Sequence, residues 1–314
     1  MLCAMLVIES CNAPRNNPFD PMNPGYSFGE LSGSVQTLSY PYTNIPGVSV
    51  YWNPSRKLVT TDNNGNFMIN NIDPVNGKLI FQKSGFLSDT LDVVWGSSKV
   101  LNYKVNLNSI PSLDNIQIYT VVINQFSAPG QTYQLVVNAK ITDKENAIDS
   151  VFVQNSQLGL HFPLNFDVAK KIYTAALTTQ NLNITDLEQT IGLSFDIISD
   201  VYNQQLNIGS ANVTRVIKSA ALIQYPANDT TIGPAPTFTW QRYRAGYPFN
   251  YKIDVYTNDI ANPQLAFTAD SISSDSVSYQ LPASLANGNY FWVIWVVDQF
   301  KNCSRSLPAT FIVQ

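Results

Sequence analysis

Apolar and polar residues alternate along this chain with a period of two. Val48, Val50 and Trp52 share one parity, as do Phe67, Ile69 and Asn71 on the next run. Tyr133, Leu135, Val137, Ala139 and Ile141 interleave with Gln134, Val136, Asn138 and Lys140. Successive side chains of a strand point to opposite faces, so these runs predict strands with one buried face. Further strands are expected at Ser34–Leu38, Leu79–Phe81 and Val100–Leu107, then at Tyr119–Ile123, Ser150–Val153, Tyr173–Leu177, Ile191–Ile198 and Val213–Ile217. Asn64-Gly65 and Asn76-Gly77 offer the positive φ angles that tight hairpins need. Asp186-Leu187-Glu188-Gln189 reads as a short helical turn or a loop. The expected fold class is all-β, as tandem β-sandwiches.

Breaks in the pattern set the expected boundaries. Residues 1–26 hold an apolar start and a tether with Pro14, Pro18, Pro21 and Pro24 among several Asn. A first sandwich is expected over 27–110, a second over 111–218 and a third over 219–314. The first carries Gly33-Ser34-Val35, Pro46-Gly47-Val48-Ser49-Val50, Thr61-Asp62, Gly65-Asn66-Phe67, Ile72, Gly77 and Gly85-Phe86. In these residues it resembles the carboxypeptidase regulatory-like domain, which implies a transthyretin-like (prealbumin-like) seven-stranded sandwich of accessory rather than catalytic character. The second has only spacing to speak for it, six or more short strands, which argues for an immunoglobulin-like sandwich. The third holds Pro236-Thr237-Phe238-Thr239-Trp240, Phe249–Tyr256, and Leu281-Pro282 ahead of Gly288–Val296. It resembles a fibronectin type III domain, with Trp240 as the core Trp of strand B and Tyr290 as a corner tyrosine.

At the N-terminus, Met1–Ile8 is apolar and precedes Glu9-Ser10-Cys11 and the Asn/Pro tether. This resembles a bacterial lipoprotein signal, and the resemblance implies that Cys11 is the lipid-attachment residue of an exported protein at the outer membrane or cell surface. The alternative is an unstructured N-terminus with two incidental cysteines.

Composition excludes more than it selects. Of 314 residues only 13% are charged and the net charge is −4, without charge runs, so no basic stripe for nucleic acid exists. Cys3, Cys11 and Cys303 cannot make a disulfide framework, and no Cys/His cluster marks a metal site, so no metal or cofactor is expected. No apolar run reaches membrane-spanning length, which leaves a lipid anchor as the expected membrane contact. His161 is the lone imidazole, which speaks against a hydrolytic triad. The Asp residues sit mostly at turn positions, and Asp62-Asn63-Asn64-Gly65-Asn66 reads as a hairpin rather than a calcium loop. Four Asn-x-Ser/Thr sites are of the frequency expected by chance in an Asn-rich chain. An enzyme is not expected.

Binding is the remaining expectation. Gln241–Pro248, with Arg242, Tyr243, Arg244 and Tyr247, would be the loop between strands B and C of the third sandwich. Gln299–Arg305, with Phe300 and Lys301, would be the loop between strands F and G, at the same end. Arg and Tyr suit recognition of a protein or a glycan, the expected classes of partner. The competing expectation is that Tyr243 and Tyr247 pack inward. A second aromatic group, Tyr40-Pro41-Tyr42 with Trp52, would serve sugar stacking if exposed, although the parity of Trp52 points to the core. Trp292 and Trp295 fall on opposite faces of one strand. The functional expectation is a non-enzymatic, lipid-anchored protein presenting sandwich loops; the alternative is a spacer and docking component of an outer-membrane complex.

Overall fold

Most of the period-two alternation becomes strand pairing. The structure, a computed structural model, describes residues 23, 25, 27–126, 130–201, 204–259 and 262–314. Cys11 lies outside the described residues, and so does the expected lipid attachment. The described chain is all-β except for one 3-10 turn, and it gathers into two units. One contains the residues up to Ile110 with Asp143–Asn146; the other contains Pro111–Thr142 and Ala147–Gln314.

The first unit has seven strands: β1 (Gly29–Thr37), β2 (Ser49–Trp52), β3 (Lys57–Thr60), β4 (Asn66–Ile72), β5 (Gly77–Gln82), β6 (Asp89–Val93) and β7 (Val100–Leu107). They form two sheets, in the orders β4-β1-β7 and β3-β2-β5-β6. Their facing sides bury Leu31, Val35, Val50, Trp52, Phe67, Ile69, Leu79 and Phe81 in one core. Trp52 is fully buried, so it is core and not a partner for the exposed Tyr40 and Tyr42. Asp62 shapes the β3–β4 hairpin by accepting the amides of Asn64 and Asn66, both at 2.8 Å, while Gly65 takes φ +73°.

Two expectations change here. Asn71 does not keep the parity of Phe67 and Ile69. It takes φ +53° and shifts the register, which turns Ile72 into the core in its place. Asn76-Gly77 makes no left-handed turn. Gly77 opens β5 because a Cβ there would meet Pro54 at 2.3 Å and Trp52 at 2.9 Å, a demand for close approach and not for positive φ.

The second unit continues with β8 (Ser112–Asn124), β9 (Gln131–Thr142), β10 (Ile148–Asn155), β11 (Leu160–Pro163), β12 (Asn165–Asp167), β13 (Ile172–Thr178), β14 (Ser194–Val201) and β15 (Gln204–Asn212). The 3-10 turn Leu187–Thr190 stands between β13 and β14, capped by Asp186, whose carboxylate accepts the Glu188 amide. Then follow β16 (Ile223–Tyr225), β17 (Thr230–Ile232), β18 (Thr237–Trp240), β19 (Phe249–Thr257), β20 (Leu265–Ser273), β21 (Ser278–Gln280), β22 (Gly288–Asp298), β23 (Cys303–Arg305) and β24 (Ala309–Val313).

This unit has two cores, one around Leu135, Val137, Val153, Leu177, Phe195 and Ile197, the other around Phe238, Trp240, Tyr251, Ile253, Trp292 and Phe311. A single sheet serves both, in the order β12-β13-β9-β8-β23-β22-β19-β20. The joint is the short β23, which pairs in parallel with β8 (Cys303 to Val121, Arg305 to Ile123) and antiparallel with β22. Sheets β11-β10-β14-β15 and β16-β18-β21 complete the two sandwiches. Val213–Ile217, expected as a strand, is not one. The pairing strand is the polar edge β15 before it, whose apolar alternation is only Leu206 and Ile208 between Gln205 and Asn207, and 213–218 crosses from one core to the other.

Candidate functional site

The expected loops do meet at one end of the C-terminal sandwich. Residues 241–248 connect β18 to β19, and the first residue of β19, Phe249, pairs with Asp298, the last of β22. The second loop is shorter than expected. Residues 299–302 make the turn, and Cys303–Arg305 are strand, because β23 is claimed by β8.

Asp298 organises the turn. Its side chain is fully buried, and Oδ1 accepts the amides of Phe300 and Asn302, both at 2.9 Å. Oδ2 accepts Arg215 at 2.7 Å and the Asn302 side-chain amide at 3.0 Å. A buried carboxylate is tolerated only when paired and hydrogen-bonded, and this one has four donors. Asn302, also fully buried, passes the network on: its oxygen accepts the Thr120 amide at 2.9 Å on β8, and its nitrogen donates to the Thr214 hydroxyl at 3.1 Å. The turn therefore holds the two sandwiches of this unit together, a role its sequence did not announce.

Arg215 carries the network to the other loop. Its guanidinium lies 3.9 Å from the centroid of the Tyr247 ring, a cation–π contact. The Tyr247 hydroxyl is 3.3 Å from that of Tyr243, which reaches Ser219 at 3.0 Å. Burial, followed by the hydrogen bond with Tyr243, pushes the Tyr247 phenol above its usual range. The Tyr243 ring meets Phe249 edge-on at 5.4 Å, and its amide donates to the Tyr251 hydroxyl. Both tyrosines thus stand in the wall of the joint.

The other four candidates face outward. Arg244 is exposed. Arg242 is half exposed and donates to the Asp275 carbonyl at 2.6 Å, with the Asp275 carboxylate at 3.5 Å. Phe300 keeps 46% of its surface exposed, and Lys301 donates to Gln117 at 2.8 Å. Phe300 and Lys301, with Ile116, Gln117, Ala211 and Thr214, line a groove of about 300 Å³. A cationic and aromatic rim around a rigid turn can hold a polar partner by charge and by ring contact. Arg215, Asp298 and Asn302 fix this loop end, a part not legible in the sequence because each acts through residues distant in the chain.

Trp292 and Trp295 divide as their parity requires. Trp292 is core and donates to the Pro226 carbonyl at 2.8 Å. Trp295 lies on the outer face of the shared sheet and donates to buried Asp254 at 2.8 Å. Tyr256 stacks on Phe291 there at 5.1 Å, which covers one face of each ring. Tyr40, 85% exposed, stands edge-on to Tyr42 at 6.3 Å. Among the described residues no cluster of metal-ligating groups forms, and no helix is long and apolar enough to cross a membrane.

No protein-family model and no curated protein matches this sequence. Among solved structures, the fibronectin(III)-like modules of Clostridium thermocellum CbhA align over 65% of this chain and 94% of theirs, at 11% identity and a TM-score of 0.30. The FN1–FN3 domains of chicken CNTN1 align over 87% of this chain and 93% of theirs, at 8% identity and a TM-score of 0.32. The Bacillus anthracis TIE protein aligns over 92% of this chain and 48% of its own length, at 10% identity and a TM-score of 0.25.

Proposed function

We propose that this chain is a non-enzymatic, exported and lipid-anchored binding protein, whose C-terminal loops meet a protein or glycan partner. The observation that carries the reading is the division of labour at the loop end. Tyr243, Tyr247, Asp298 and Asn302 immobilise both loops from within, leaving Arg242, Arg244, Phe300 and Lys301 to solvent. Rigid loops lose less conformational freedom when they bind, and Arg and aromatic side chains dominate such contacts. The fibronectin type III reading of this sandwich is supported by Trp240 in its core and by Tyr290, whose hydroxyl donates to the Ala286 carbonyl at 2.9 Å. Seven strands in two sheets support the transthyretin-like reading of the first unit.

The test combines two readings on the full chain. Mass spectrometry of protein from its native membrane fraction should find a diacylglyceryl group on a fragment beginning at Cys11. Binding to glycan arrays and to solubilised membrane proteins should be lost on joint Arg242→Ala, Arg244→Ala and Phe300→Ala substitution with melting unchanged. An unmodified Cys11 removes the anchor, and binding that survives the triple variant removes the loops. The second reading, a spacer and docking component, is favoured by the outer sheet face around Trp295 and predicts that Trp295 becomes protected in a complex.

A further inference from the structure

We propose that the outer edge of β7 takes up an extended, acidic segment of another protein as an added strand. The site lies in the first unit and does not depend on the loops considered above.

The direction of each main-chain group on β7 follows from the bonds around it. Lys99 and Leu107 present their carbonyls to β1, accepting the Glu30 amide at 2.8 Å and the Leu38 amide at 3.0 Å. Amide and carbonyl of one residue point the same way and alternate along a strand, so the odd-numbered residues of β7 face β1. The even-numbered residues face outward. Val100 confirms this, because the Ser98 side chain, not β1, takes both its amide and its carbonyl. At the far end the Asn108 carbonyl accepts the Leu87 amide at 2.9 Å, and the Gly85 carbonyl accepts Ile110.

Between these two plugs stand Asn102, Lys104 and Asn106, all exposed. Their outward amides and carbonyls have no main-chain partner among the described residues. β7 pairs with β1 over all eight residues without a bulge, which leaves this stretch regular. Three other edges, those of β4, β15 and β20, are treated differently. Lys57 covers the β4 edge by donating to the Asn70 and Asn71 carbonyls at 2.7 and 2.8 Å. β15 is broken by a register shift, and β20 by two. Bulges and lysines of this kind blunt an edge against pairing, whereas an unbroken run of free groups is a template for a strand.

Lys104 selects the occupant. A second copy pairing antiparallel with this edge uses all three outward residues only when Lys104 opposes its own equivalent, and directly opposed like charges destabilise a ladder. Moving the axis to Tyr103 relieves the clash but sets Asn106 against Val100, whose groups Ser98 already holds. Self-pairing therefore either opposes the two lysines or gives up one of the three outward residues. The Lys104 ammonium stands 5.6 Å from the Tyr42 ring centroid and makes no ion pair among the described residues, so a carboxylate opposite it completes the site. Tyr42 and Tyr40 give that partner strand an aromatic flank.

The test uses the full chain and two capped, alternating Thr/Val peptides, one with Glu and the other with Lys at its centre. In hydrogen exchange at about 1 mM peptide, the Glu peptide should slow the amides of 102–106, with an affinity about three- to tenfold above that of the Lys peptide. Lys104→Glu should reverse that order. Asn106→Pro removes one outward amide and no bond to β1, and should abolish protection by either peptide. The assignment is overturned if neither peptide slows exchange, if Asn106→Pro binds like the parent, or if the free protein proves to be a dimer through β7. Should Asn106→Pro misfold, the reversal by Lys104→Glu still decides.

Discussion

Asn302 shows how much one side chain can carry. Removing it leaves the Thr120 amide buried without a partner and takes one of four donors from the Asp298 carboxylate. An orphaned buried donor costs about 1–3 kcal/mol, and more where a charge is involved. Asn302→Ala is therefore expected to destabilise the second unit by about 2–4 kcal/mol, seen as a lower urea midpoint at constant slope. Arg244→Ala, on the exposed rim, should stay within about 0.5 kcal/mol of the parent. A different pair reports on pH. Lys218 stands 2.7 Å from Asp186 and 2.9 Å from Glu188, and its hydrogen bond holds the Asp186 carboxyl below the usual range while its own amine is raised. A lowered acid stabilises above its unfolded pKa, near 4, and loses that contribution as pH falls through the folded value; the raised amine loses its share only in strong alkali. Lys218→Met should thus cost less than about 1 kcal/mol at neutral pH, since the groups are well exposed, and that cost should vanish towards about pH 2. Burial pushes the Cys303 thiol up to about 12, so iodoacetamide should leave it unlabelled at about pH 8 until the fold is lost.

At the scale of elements, strand positions followed from alternation and their pairing did not. The core faces of β2 and β9 can be read directly from Val48, Val50 and Trp52 and from Leu135, Val137 and Ala139. β15 could not be read, because an edge strand buries little and needs no apolar face. The β4 register shift at Asn71 was equally silent, since a left-handed Asn looks like any polar residue on an exposed parity. Gly33 illustrates a close approach that only pairing reveals: a Cβ there would sit 2.0 Å from the Tyr103 carbonyl of β7. Gly33→Ala should force β1 and β7 apart and cost about 2 kcal/mol or more, with exchange accelerated first in β7. An equivalent substitution at Gly85, where nothing lies within 4 Å but φ is +81°, should cost only the smaller left-handed penalty of about 1 kcal/mol.

For the molecule, the consequential feature is the sheet that passes from one core of the second unit to the other. β8 and β23 share three paired positions, and the buried Asn302 network sits beside them. Two cores joined this way should melt together. Asn302→Ala is expected to raise amide exchange in β9 and in β19 alike, and a change confined to β19 would mean that the cores open separately. The candidate loop surface follows the same logic. Its residues were identifiable from Arg and Tyr at a turn, but which of them face solvent was settled by Arg215 and Asp298, drawn from far along the chain.

The sequence alone determined the all-β class and the parity of individual strands, including that Trp292 and Trp295 lie on opposite faces, while burial decided that Trp292 is the core one. It also placed the loop over 241–248, because Trp240 and the Phe249 run bound it closely. These are local properties, written in the two-residue repeat of a pleated backbone and in the few residues that allow a turn. Tertiary structure decided which edges stay open, where β23 finds its partner and which loop tyrosines turn inward. Those outcomes depend on hydrogen bonds between residues nearly two hundred positions apart, such as Thr120 with Asn302, and on the rule that a buried polar group must find a partner wherever the chain supplies one.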